Sequence, residues 1–195
     1  MTESLSDATR NTPSPHARRT LLLIAAIGIA PIVASYITYY FWPRQARVNY
    51  GELLVTEPAP SFEGVRSDGR SFRLADLRGR WVILMSAPAN CDARCERMLY
   101  ASRQARTIQG SEQDRVVRVW LARGDGDISA NLLAQHPRLQ VVRIDDASFD
   151  GSPIADGRIY LIDPLGNWVL AWPAEPDIKA LAKDLGRVLR ASQIG

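Results

Sequence analysis

The chain has 195 residues, 46% of them hydrophobic and 23% charged, with a formal net charge of +3. Those proportions exclude a disordered chain. The positive charge is almost all Arg, with Lys179 and Lys183 the only Lys, and it is interspersed with Asp and Glu without a basic run of five. A nucleic-acid footprint needs clustered basic residues, so no nucleic-acid partner is expected.

Residues 1–19 are rich in Ser, Thr, Pro and charge and read as a disordered cytoplasmic tail. Residues 20–42, TLLLIAAIGIAPIVASYITYYFW, run for 23 positions without a charge. About 20 apolar residues at a rise of 1.5 Å span the hydrocarbon core of a bilayer, so this is a transmembrane helix. Pro31 lies in mid-span, where membrane helices tolerate it. Tyr36, Tyr39, Tyr40, Phe41 and Trp42 crowd one end, as aromatic rings do at a lipid–water interface. A cleaved signal peptide has a shorter apolar core and a small-residue cleavage site, and the bulky aromatic end argues against one. Arg18-Arg19 before an apolar run is a feature shared with twin-arginine signals, but the flanking residues give it little support. Arg10, Arg18 and Arg19 precede the span and Arg44 and Arg47 follow it, a slight positive-inside bias. The expectation is a single pass through a bacterial inner membrane, N-terminus cytoplasmic and C-terminal domain periplasmic.

Residues 43–60 read as a Pro-containing linker with a short strand within 49–55. Runs at 62–65 and 71–74 flank Ser67-Asp68-Gly69, a hairpin signal. WVILMS at 81–86 is a continuous apolar run, which suits a buried central strand. A helix is predicted over 91–109, with Asn90 as its N-cap and Gly110 ending it. A buried strand at 116–121, a short helix at 128–135 stopped by Pro137, and a strand at 139–144 follow. Runs at 158–163 and 167–172 flank Pro164-Leu165-Gly166, a second hairpin. The last helix is predicted over 176–191, with Ile178, Leu181, Leu185, Val188 and Leu189 on one face and Pro176 in its first turn. Alternating elements followed by an antiparallel pair imply an α/β fold over 61–195, a mixed sheet with helices on both faces.

Two Cys are present, Cys91 and Cys95, just after the buried strand and at the mouth of the first long helix. A helix N-terminus carries unpaired N–H groups and a partial positive charge, which favours a thiolate; Arg94 and Arg97 add to it. Spacing of four puts both sulfurs on one helix face with Cα atoms about 6 Å apart, within disulfide range. The same pair can chelate a soft metal such as Cu(I), or the two can be small buried hydrophobes. His16 lies in the tail, and His136 reads as a solvated helix end. Asp145, Asp146, Asp150 and Asp156 read as loop solvation rather than a metal site. No phosphate loop, Ser–His–Asp set or zinc cluster appears, Thr or Ser is missing three before Cys91, where Pro88 stands, and the gap between the Cys is one too long for thioredoxin itself.

The order of parts resembles the thioredoxin superfamily and, within it, the SCO family of cytochrome oxidase assembly proteins. The residues that carry the likeness are the 20–42 span, the Asp68-Gly69 hairpin with LADLRGRWVILMS, the CxxxC at 91–95 and RIYLIDPLGNWVL at 158–170. It covers roughly residues 55–192. NYGELL, the CxxxC and DRVVRVW look like a small SCO-like membrane protein that accompanies oxidase assembly factors in proteobacteria. The resemblance implies a thioredoxin-like fold and a Cys91–Cys95 disulfide. It also implies a role in oxidase copper-site assembly, with an oxidase subunit or other assembly factors as partners. Cys91 would be the reactive thiol and Cys95 the resolving one, or both would ligate copper. The family's copper-site His falls in 150–159, which reads DGSPIADGRI without a His, and Asp92 and Glu96 replace the family's Pro beside the cysteines. That leaves a two-sulfur Cu(I) site rather than a full SCO site. A general periplasmic thiol–disulfide oxidoreductase, and a binding module that has lost its chemistry, are the alternatives.

Overall fold

A computed structural model describes residues 15–41, 49–145, 154, 157–192 and 194. The chain divides into two units, Met1–Arg47 and Val48–Gly195. The first unit contains α1 (Pro15–Phe41), 27 residues long. It begins five residues before the expected start at Thr20, within the segment expected to be disordered, and Trp42 lies outside the described residues. Arg18–Tyr40 is long and apolar enough to cross a membrane, about 35 Å at 1.5 Å per residue. Its described large apolar side chains, Leu22, Ile27 and Ile32 among them, are exposed. Thr20 and Thr38 turn their hydroxyls back onto the carbonyls of His16 and Ala34, so neither presents a free donor. Tyr36, Tyr39 and Tyr40 pack ring to ring at the C-terminal end.

In the second unit the strands are β1 (Glu52–Leu53), β2 (Glu63–Arg66), β3 (Ser71–Arg73), β4 (Trp81–Pro88), β5 (Val116–Arg123), β6 (Leu139–Ile144), β7 (Ile159–Ile162) and β8 (Trp168–Trp172). The helices are α2 (Ala93–Thr107), α3 (Ala130–Gln135) and α4 (Ile178–Ala191). The strands form one mixed sheet in the order β1-β8-β7-β4-β5-β6-β2-β3. β4, β5 and β6 are parallel, and the remaining pairings are antiparallel. With its helices this is the expected thioredoxin-like α/β fold. β4 lies in the middle of the sheet, and every residue of it but Pro88 is buried. Burial on both faces is why this strand reads as an unbroken apolar run.

Both hairpins form where turn chemistry places them. In the second, Asp163 Oδ1 accepts the N–H groups of Leu165 (2.9 Å) and Asn167 (2.8 Å). The first hairpin pairs onto β6 through β2. Gly64 permits this: a Cβ there would stand 2.3 Å from the carbonyl oxygen of Arg143. The stretch expected to be a linker contributes β1, an edge strand on β8, and a bridge from Pro58 to Asn167.

Side chains of β4, β5 and β7 alternate between two apolar clusters. One holds Ile83, Met85, Trp120, Ile159, Leu161 and Trp172 of the sheet with Leu99, Leu132, Leu181 and Leu185 of α2, α3 and α4. The other holds Leu84, Val119, Tyr160 and Ile162 under Phe62, Phe72, Leu74 and Leu77. Among the described residues the helices therefore cover one face, not both as expected. The reason is handedness. β4, β5 and β6 are laid down consecutively in one direction, so right-handed crossovers put α2 and α3 on the same side. The first hairpin and the 3₁₀ turn Leu74–Leu77 close the other.

Candidate functional site

The central strand β4 delivers the chain to its C-terminal edge at Pro88. A turn follows, in which the Ala89 N–H donates to the Arg123 carbonyl (2.8 Å) and the Cys91 N–H to the Pro88 carbonyl (3.1 Å). Helix α2 starts only at Ala93. Its N-cap is Asp92, not Asn90, and the Asp92 Oδ1 accepts the Cys95 N–H at 2.8 Å. An N-cap Asp satisfies one of the donors that every helix start leaves open. The helix also ends early, at Thr107, with Ile108 as C-cap.

This shift changes how the cysteines meet. Cys91 stands just before the cap, outside the helix, and Cys95 lies in the first turn. They do not share a helix face; a turn residue faces a helical one. Their Cα atoms are 5.2 Å apart and their sulfurs are bonded to each other. The two are unequal, since Cys91 is half-buried whereas Cys95 is 2% exposed.

Against Cys95 lies a cavity of about 250 Å³, walled by Ser86, Asp92, Arg94, Met98 and Arg123. Among the described residues its wall carries two guanidinium groups and one carboxylate, and nearby positive charge favours thiolate over thiol once the pair is reduced. Arg94 was legible in the sequence. Arg123 was not, because only the parallel register that pairs Pro88 with Arg123 brings it here. Met98 adds a thioether, a soft donor, to the same wall. Among the described residues no group of three His, Cys, Asp or Glu is placed to hold a metal ion. Asp146, Asp150 and Asp156 lie outside the described residues.

His136 is not a solvated helix end. It caps the C-terminus of α3 and is 5% exposed, on the wall of a separate cavity of about 660 Å³ with Ala93, Glu96 and Tyr100. Its Nδ1 has no hydrogen-bond partner. Burial first, then the charges of Arg118 and Arg103, push its pKa down to about 4. The unfolded chain therefore binds a proton at His136 that the folded chain refuses between the ordinary value of 6.5 and about 4. Stability is full above that window and falls as pH drops through it, by about 1–3 kcal/mol for this residue. Urea unfolding of wild type and His136→Gln from pH 7 to pH 4 checks it. The acid loss should be smaller in the variant, and equal losses would contradict the assignment.

The sequence model for transmembrane-like proteins with a thioredoxin-like C-terminal domain matches residues 81–192. Solved structures with the same fold include yeast Sco1 with copper bound, at a TM-score of 0.60 and 16% identity over 69% of this chain and 94% of that one. Arabidopsis thaliana ScoI with copper bound gives 0.59 and 19% over 70% and 100%. A thiol:disulfide interchange protein from Bacteroides sp. gives 0.57 and 16% over 72% and 93%. No curated protein sequence matches the chain. At these identities the likeness is one of fold.

Proposed function

Because the chain belongs to the family of transmembrane-like proteins with a thioredoxin-like C-terminal domain, we propose that it is a membrane-tethered assembly factor acting through Cys91 and Cys95. Its client is the copper site of a cytochrome oxidase subunit. The anchor lies in a bacterial inner membrane, with the N-terminus cytoplasmic and the domain periplasmic, a compartment where disulfides persist. The observation that carries this reading is the disulfide at the strand–helix junction, one sulfur reachable and the other buried beside a cavity walled by Arg94 and Arg123.

In the reduced chain, the Cys91 thiolate attacks one sulfur of the client's disulfide. An S–S bond forms to the client, and the client's other sulfur leaves as a thiolate. Cys95, as thiolate, then attacks the Cys91 sulfur and releases the second client thiolate. Two electrons have passed to the client, and Cys91–Cys95 is again a disulfide. A dithiol protein of the same compartment must restore the reduced pair. Two sulfurs and the nearby Met98 thioether are the soft donors that suit Cu(I). The donor set fits thiol exchange and a sulfur-only Cu(I) site; it does not fit a site needing a nearby His. Bound Cu(I) would supply the metal that the client's reduced thiols receive.

The test is to offer the reduced full-length chain, in detergent, two substrates: the oxidised copper-site subunit and a generic disulfide such as insulin. Selective reduction of the subunit supports the reading. Equal turnover of both points to a general oxidoreductase. Normal oxidase assembly in cells carrying Cys91→Ser with Cys95→Ser leaves only a binding module. Chelator-competed Cu(I) titration separates the metal role: binding no tighter than that of the double Ser variant removes it.

A further inference from the structure

At the opposite end of the parallel strands from the cysteines lies a second polar feature. Arg118 projects from β5 into the helix-covered face and is 1% exposed. It pairs in register with Ile83, five residues before the Arg123–Pro88 pair at the thiol end, about 17 Å along the strand. Its Nη2 donates to the Pro137 carbonyl at 2.7 Å. Its Nε and Nη1 have no hydrogen-bond partner, and among the described residues no carboxylate pairs with it. Burying a guanidinium without a counter-charge is costly, and burial has pulled its pKa down to about 10, still charged at neutral pH.

The neighbours make the imbalance larger. Arg118 lines a pocket of about 250 Å³ with Arg103, Arg106 and Arg138. Arg103 donates to the Gln135 carbonyl. Arg106 gives its three nitrogens to the Val116 carbonyl, Gln113 and Asp114. Arg138 pairs with that same Asp114 at 2.7 Å. Among the described residues one carboxylate thus serves four guanidinium groups, and it reaches only two of them. Buried His136, whose ring feels Arg118 and Arg103, adds no negative charge.

We propose that this pocket is an oxyanion site, in which Arg118 and Arg103 hold a phosphate group that Asp114 does not neutralise. Guanidinium donors match phosphate oxygens in geometry as well as charge. The phosphate can be free or can belong to an anionic lipid headgroup. The site is independent of the thiol pair.

The test uses the full-length chain and its melting temperature. One arm compares sodium phosphate with sodium chloride at matched ionic strength, in zwitterionic detergent. The other compares phosphatidylglycerol vesicles with phosphatidylcholine vesicles. Saturating ligand should raise Tm by about 3–6 °C. A rise with inorganic phosphate identifies a free anion, and a rise only with phosphatidylglycerol identifies a headgroup. Arg118→Met replaces the buried charge with an apolar chain of similar length, and it should abolish the rise. Arg103→Gln, on the half-exposed rim, keeps the test open should the core variant fold poorly, and it should reduce the rise. No rise in either arm, or the same rise in both variants, would overturn the proposal.

Discussion

Cys95→Ser is expected to convert the chain into a trap. The variant keeps Cys91 half-exposed just before the helix cap and removes the buried sulfur that would resolve a mixed disulfide. Cys91 then forms a bond to its client that nothing internal breaks, so a covalent adduct accumulates at the membrane. Cys91→Ser leaves a thiol that is 2% exposed, with its own N–H held by Asp92, and no adduct should form. Either change should slow net exchange by at least ~100-fold, because the two-step reaction needs both sulfurs. Non-reducing gels of membranes from cells carrying each variant give the answer. Adducts of equal yield in both would remove the assigned order of attack, and adducts in Cys91→Ser alone would reverse it.

The stability side of the same pair is small by comparison. A disulfide that closes so short a loop removes little entropy from the unfolded chain, about 2 kcal/mol in the chain-entropy picture. A domain with a large apolar cluster on each face of its sheet does not need it to fold. The pair is better accounted for by chemistry than by stapling.

Much of this site was legible before any coordinates. The apolar run of β4, the breaks at Gly and Pro, and the CxxxC after a buried strand are local signals, and they placed the strand–helix junction. What stayed hidden is what two elements decide together. Asn90 and Asp92 are both good N-caps, two residues apart. The local pattern does not choose between them; the structure caps the helix at Asp92, and that moves Cys91 out of the helix. The mostly apolar run of β5 showed a buried strand. It could not show that Arg118 would be buried without a carboxylate, or that Arg123 would register beside the cysteines. His136 looked solvated because it follows a short helix, yet its ring is buried, on the wall of a cavity whose other side is α2. Polar residues carried inward by a regular element are the ones a one-dimensional pattern reads last.

Asp184 is the sharpest case, and its replacement by Ala should produce the largest loss of stability. It sits on α4 beside Leu181 and Leu185 and is 2% exposed. Its Oδ2 accepts the Gly51 N–H at 2.8 Å and the Trp172 indole N–H at 3.1 Å, and its Oδ1 meets Arg187 at 3.2 Å. Around it, Arg187 also reaches Asn49 Oδ1 at 2.6 Å, and the Tyr50 hydroxyl accepts the Asp177 N–H at 3.1 Å. The NYGELL segment is thus a clasp that fastens β1 to α4. Gly51 belongs to the clasp as well, since a Cβ there would stand 2.5 Å from the Trp172 indole nitrogen. Asp184→Ala strands two buried donors and loosens Arg187, a cost of about 3–5 kcal/mol. Asp184→Asn keeps one acceptor oxygen and should cost roughly half as much. Denaturant unfolding of the full-length chain measures both, and hydrogen exchange at Gly51 and Glu52 should speed up in step. A loss below about 1 kcal/mol for the Ala variant would mean that water replaces the carboxylate and that packing of the two apolar clusters alone holds the edge strand.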